Sequence, residues 1–122
     1  MRNGILSVEG DSQWFKLKVV KSHIHVLDDM DMRMAEPKPK SIRLDGMSTC
    51  VRLERLYWAI LKSMADFNGT TTNTLLTAMD RDVQMHLGGI KNFSSLIRVV
   101  STVQLLKMCP EAVMVSVMEN IP

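Results

Sequence analysis

The chain has 122 residues and a formal charge of +2, long enough for one modest domain with a real core, of a size that often completes that core by dimerising. Two cysteines make no disulfide framework, and neither Cys50 nor Cys109 has the close Cys or His neighbours of a zinc site. The N-terminus lacks a cationic region followed by an apolar run, and no stretch approaches the roughly 18 apolar residues of a membrane helix, so the expected setting is cytoplasmic, without membrane contact.

Charge is unevenly placed. Residues 1–37 hold five Lys/Arg against six Asp/Glu and residues 38–122 ten against seven, so the basic excess lies in the C-terminal two thirds, starting at "KPK". The eleven methionines read as adaptable core and interface filler rather than as redox groups.

Residues 1–29 alternate in the bursts "ILSV", "WFKLKVV" and "HIHVL", separated by turn-prone "EGDS" and "KS", which predicts two or three short strands. "DDMDMRMAEPKPK" has acidic residues, two prolines and no apolar period, and reads as an exposed linker. This divides the chain into an N-terminal arm or small β element (1–36), a main domain (37–107) and a tail (108–122).

"SIRLDGMSTCVRLE" offers two extended pieces about Asp45-Gly46, a dipeptide that accepts positive φ and commonly reverses a chain. In the second piece Ser48, Cys50 and Arg52 alternate with Thr49, Val51 and Leu53. From Arg55 the period turns helical through Tyr57, Ile60, Leu61, Met64 and Ala65, and stops at Asn68-Gly69, predicting a helix over Arg55–Phe67.

Thr71 is the expected cap of a second helix, its hydroxyl accepting from amides one turn in. Leu75, Leu76, Met79, Val83 and Leu87 form the apolar stripe, and Gly88-Gly89 ends it. A third helix, capped by Asn92, carries Phe93, Leu96, Ile97, Val100 and Val103 on one face. "EAVMVSVME" alternates again and reads as a strand or a frayed extension after Pro110.

One amphipathic strand ahead of two helices leaves both its edges unpaired. It can pair with Ser41–Leu44 across Asp45-Gly46, or antiparallel with the same strand of a second copy. The second solution raises Ser48, Cys50 and Arg52 of both chains on an exposed ribbon of the kind a DNA major groove admits.

Here the chain resembles the ribbon-helix-helix DNA-binding family (Arc- and MetJ-like). The resemblance covers about Ser41–Leu106, with its centre in "TCVRLERLYWAILKSMADFNGTTTNTLLTAMD". "KSIRLDGMSTCVRLERLYW" followed by "NFSSLIRVV" looks like a bacterial and phage subfamily with a third helix. It implies a mainly α fold with a short β-ribbon completed by intermolecular antiparallel strand pairing in a homodimer, and double-stranded DNA as partner.

Roles carry over by position. The outward strand residues of the family read bases, here Ser48, Cys50 and Arg52. Arg52 is the strongest candidate, since a guanidinium donates twice to guanine O6 and N7, whereas Cys50 is a weak hydrogen-bonder. The start of the second helix serves as the family's phosphate clamp, here Thr70, Thr71, Thr72 and Asn73, and free amides at the positive end of a helix dipole favour an anion there. Lys38, Lys40 and Arg43, placed before the strand, reach flanking phosphates in this reading.

Other chemistry finds little footing. His23 and His25 would share a strand face near Asp28 and Asp29, a spacing too unspecific to name a metal, and His86 suits the carbonyl end of its helix. No nucleophile has a local base and Gly88-Gly89 lacks the rest of a phosphate loop, so neither catalysis nor a cofactor is expected. The expected function is a DNA-binding transcription regulator acting as a repressor. The rival is a protein-interaction module, such as a toxin-neutralising antitoxin or an assembly adaptor, with a protein partner on the N-terminal arm.

Overall fold

The computed structural model describes residues 16–28, 30–87 and 92–122. The "ILSV" burst, Gly88-Gly89 and the side chain of Leu87 lie outside the described residues. The chain divides into two compact units, one of residues 31–102 and one drawing on residues 1–30 and 103–122.

In the second of these, β1 (Lys18–Val20) pairs antiparallel with β2 (His23–His25). Lys21 and Ser22 make the turn at φ 52° and 65°, the doubly positive geometry that tight hairpins favour. His23 and His25 do share a face, their rings meeting edge-on with centroids 5.1 Å apart. His25 Nδ1 lies 3.4 Å from Asp28 Oδ1. Among the described residues no group of three or more His, Cys, Asp or Glu is placed to hold a metal.

The unit of residues 31–102 begins where a linker was expected. Met32–Ala35 form a 3-10 turn capped by Asp31, whose Oδ1 accepts from the Arg33 amide at 3.0 Å. "PKPK" is already strand: β3 (Pro37–Leu44) pairs antiparallel with β4 (Met47–Glu54) in one chain, Leu44 opposite Met47 and Pro37 opposite Glu54. Asp45 and Gly46 make the reversal at φ 51° and 84°, a geometry for which an Asp-Gly dipeptide is suited. Of the two solutions open to the sequence, the strand takes the intramolecular one on this edge. Two extended runs joined by a two-residue turn close with less loss of chain freedom than two separate chains.

Three helices cover one face of the hairpin. α1 (Arg55–Phe67) starts as its periodicity predicts, and its first amide is satisfied from outside, Arg55 donating to the Glu36 carbonyl at 2.9 Å. It ends in a left-handed cap at Gly69, φ 63°. There Thr70 donates to the Ala65 carbonyl at 2.9 Å and Gly69 to that of Asp66 at 3.1 Å, the paired bonds of a Schellman stop. α2 (Thr72–Leu87) has Thr71 as its cap, Oγ1 accepting the Thr74 amide at 3.1 Å. α3 (Phe93–Leu106) is capped by Asn92 Oδ1, which accepts the Ser95 amide at 3.0 Å.

The core is one cluster: Ile42, Val51 and Leu53 from the hairpin, Trp58 and Leu61 from α1, Leu76 from α2 and Ile97 from α3. Thr49, expected on the inner face, is exposed, although Ile42 across the ladder from it is buried. Trp58, outside the predicted stripe, is buried in this cluster, its Nε1 satisfied by donating to the Lys38 carbonyl at 2.8 Å.

The tail departs from its expectation. "EAVMVSVME" is helix α4 (Glu111–Glu119), with Pro110 as N-cap. Proline at the N-cap has no amide to satisfy, and in the helix Val113 is buried and Val117 half-buried one turn on while Val115 is exposed, so the alternating valines that suggested a strand fall on different faces.

Candidate nucleic-acid interface

Leu44 and Met47 flank the two-residue turn, and alternate pairs along an antiparallel ladder exchange both backbone bonds. Leu44–Met47, Ile42–Thr49, Lys40–Val51 and Lys38–Leu53 are therefore the bonded pairs. The backbone groups of Ser48, Cys50 and Arg52 point to one outer edge of the hairpin, and those of Pro37, Pro39, Ser41 and Arg43 to the other.

The two edges differ. On the β3 edge Pro37 and Pro39 have no N–H to offer, a usual device for closing an edge strand. Farther along, the Arg43 amide donates to Asn73 Oδ1 at 2.9 Å, and its carbonyl accepts from Asn73 Nδ2 at 2.7 Å and from Thr77 Oγ1 at 3.2 Å. On the β4 edge Ser48, Cys50 and Arg52 each keep an amide and a carbonyl, and among the described residues no hydrogen bond reaches them.

Side-chain alternation separates the faces. Val51, Leu53 and Ile42 enter the core. Ser48, Cys50 and Arg52 point the other way and are exposed, and across the ladder from them stand Arg43, Ser41 and Pro39, exposed as well. Lys38 and Lys40 lie within β3 rather than before the strand, on the helix side, opposite Arg43. Lys40 Nζ sits 5.0 Å from the centre of the Trp58 ring.

The hairpin is held at both ends. At the turn, Arg81 of α2 donates from Nε to Asp45 Oδ1 at 2.9 Å, and Arg43 Nη1 donates to the Gly46 carbonyl at 2.8 Å. At the base, Arg98 of α3 donates from Nε to Glu54 Oε1 at 2.8 Å, half-buried, which pulls the Glu54 carboxyl below its ordinary range. Arg52 makes no hydrogen bond or ion pair among the described residues, so its guanidinium is available to an outside group.

Of the residues expected to meet phosphate at the start of α2, Thr71 is its cap, while Thr72 opens the helix and Thr70 precedes it. The Asn73 amide is spent on the Arg43 backbone. Composition did not single out Ser41, Arg81, Arg98 or the two prolines. The alternation of Pro37 and Pro39 in "PKPK" was the available signal, since prolines two apart share one edge of a strand.

A family model described as a ribbon-helix-helix domain matches residues 37–105. Among solved structures the chain is similar to an uncharacterized protein from Bordetella pertussis Tohama I, with 30% identity and a TM-score of 0.61 over 66% of this chain. The match spans 65% of that protein's length. No curated protein matches the chain. No helix among the described residues is long and apolar enough to cross a membrane. The family-model match over residues 37–105, more than half of the chain and the span that holds the β3–β4 hairpin and the helices behind it, places this chain in the ribbon-helix-helix family.

Proposed function

We propose that the chain is a sequence-specific DNA-binding transcription regulator, a repressor, that acts in the cytoplasm as a homodimer on a two-fold operator. The observation that carries this reading is the outward face of β4, where Ser48, Cys50 and Arg52 stand exposed on a strand that Val51 and Leu53 anchor in the core. A two-stranded ribbon fits a major groove, and a free guanidinium on it has the fork that guanine O6 and N7 accept.

The open β4 edge supports dimerisation, because a row of unpaired amides and carbonyls is a template for a second strand. A second β4, antiparallel, satisfies both rows. Pairing about Cys50 sets Ser48 of each copy opposite Arg52 of the other, so the two Arg52 charges are never directly opposed. It also brings each exposed Met47, 72% accessible in the single chain, beside Leu53 of the other copy. The start of α2, with Thr70, Thr71 and Thr72, lies beside β3 through Asn73 and is the natural place for a backbone phosphate.

The test is selection from a pool of randomised duplexes with the wild-type protein and with Arg52→Ala. The wild type should enrich a palindromic sequence and the variant should lose that preference with its thermal melt unchanged. A variant that enriches the same sequence would remove Arg52 from base reading.

A further inference from the structure

The family's ribbon needs one strand from each chain, yet this chain brings two, and the second strand needs a role. We infer that two copies form a four-stranded sheet in the order β3, β4, β4, β3, in which the inner pair reads bases and each outer β3 lies along a rim of the groove, with Arg43 and Ser41 on backbone phosphates. This rests on the DNA-binding dimer proposed above.

Three observations carry it. One edge of the hairpin is open to another strand: β3 is closed by Pro37, Pro39 and the Asn73 clasp, whereas on β4 the amides of Ser48, Cys50 and Arg52 have no partner among the described residues. A second copy therefore adds to β4 and leaves each β3 outermost. Next, β3 shares the outward face, Arg43 standing opposite Ser48 and Ser41 opposite Cys50 in register. Whatever β4 faces, β3 faces too, one strand farther out.

The third is width. Strands lie about 4.8 Å apart, so the inner pair is narrow and the outer two are separated by about 14 Å. The major groove is about 12 Å across, enough for two strands but not for four. The side chains of β3 thus meet the groove walls, where the phosphates are, rather than its floor. Arg43 is set for that task near the turn, its Nη1 resting on the Gly46 carbonyl at 2.8 Å, and a serine hydroxyl such as that of Ser41 donates to a phosphate oxygen.

The experiment compares full-length wild type, Arg43→Ala, Arg43→Lys and Arg52→Ala in duplex selection and in binding measured across salt concentration. Arg43→Ala should enrich the wild-type sequence, bind it more weakly, and show a log–log salt slope shallower by about 2 per dimer, one phosphate contact per chain. Arg43→Lys should keep the steep slope, since a phosphate accepts either cation whereas a bidentate base contact does not. Arg43→Lys also covers the case in which Arg43→Ala loosens the turn.

A changed base preference in either Arg43 variant would place β3 on the groove floor and overturn the inference while leaving DNA binding intact. So would an unchanged slope in Arg43→Ala, or a single chain bound per site. A wild type that selects no sequence would overturn the DNA-binding reading and this inference with it.

Discussion

Asn73 clasps Arg43 as a neighbouring strand would, accepting from its amide at 2.9 Å and donating to its carbonyl at 2.7 Å. A side-chain amide at the start of α2 thus completes the edge of β3 and fixes the ribbon to the helix behind it. Asn73→Ala should cost about 1–2 kcal/mol in urea denaturation, the net worth of a pair of neutral hydrogen bonds. Asn73→Asp, which keeps the acceptor and loses the donor, should fall between. An alanine variant as stable as wild type would mean that water replaces the clasp without loss.

Glu54 and Arg98 join the base of the hairpin to α3 across 2.8 Å, and the guanidinium, with the backbone amide of Glu54 itself, lowers the carboxyl pKa. A carboxylate lowered on folding adds stability that is complete above its unfolded pKa and is lost as pH falls through its folded one. Glu54→Gln should therefore lower the melting temperature at pH 7. The gap from wild type should begin to close as pH falls through the ordinary glutamate range, about 4.3, and close further as pH falls through the lowered folded value. A gap that is constant from pH 7 to pH 3 would show that the pair contributes nothing that titrates.

Among the described residues Arg52 has no partner to lose in the free protein. Arg52→Ala should leave urea midpoints within experimental scatter while reducing preference for the selected operator roughly 10- to 100-fold, as expected for about 1–3 kcal/mol of bidentate discrimination. Isotherms on operator and scrambled duplex measure this. An equal loss on both would mark Arg52 as a phosphate contact.

Cys50 sits at the centre of the self-pairing proposed for β4. Opposed residues of a hydrogen-bonded antiparallel pair have Cα atoms about 5.5 Å apart, within disulfide range. A mild oxidant should then convert Cys109→Ser into a covalent dimer on a non-reducing gel, and Cys50→Ser should give none. A non-covalent dimer in sedimentation that never cross-links through Cys50 would put another residue on the two-fold axis.

Residues 31–102 carry their own core, from Ile42 to Ile97. A protein beginning at Asp31 should therefore select the wild-type operator. The deletion stops before Asp31 because the expected boundary at residue 36 would remove the Glu36 carbonyl that receives the first amide of α1. Loss of selectivity with a retained thermal transition would give the first hairpin a part in DNA binding.

Much of this molecule follows from local pattern. The Arg55–Phe67 helix, its Asn68-Gly69 stop, the Thr71 and Asn92 caps and the Asp45-Gly46 reversal each depend on a few neighbouring residues whose backbone preferences agree. The outward set Ser48, Cys50 and Arg52 follows from the period of two in a strand. What local pattern leaves open is partnership. "DDMDMRMAEPKPK" looks like a linker until Glu36 and Lys38 lend their carbonyls to Arg55 and Trp58, and "EAVMVSVME" alternates like a strand while Pro110 and Val113 make it a helix. The pairing of β4 with β3, and the closing of β3 by Asn73, join residues up to 30 apart in the chain. Such contacts depend on which groups meet once the core has formed, so Pro37 and Pro39 can mark a closed edge in the sequence while only tertiary structure decides that Asn73 completes it and that β4 is left open.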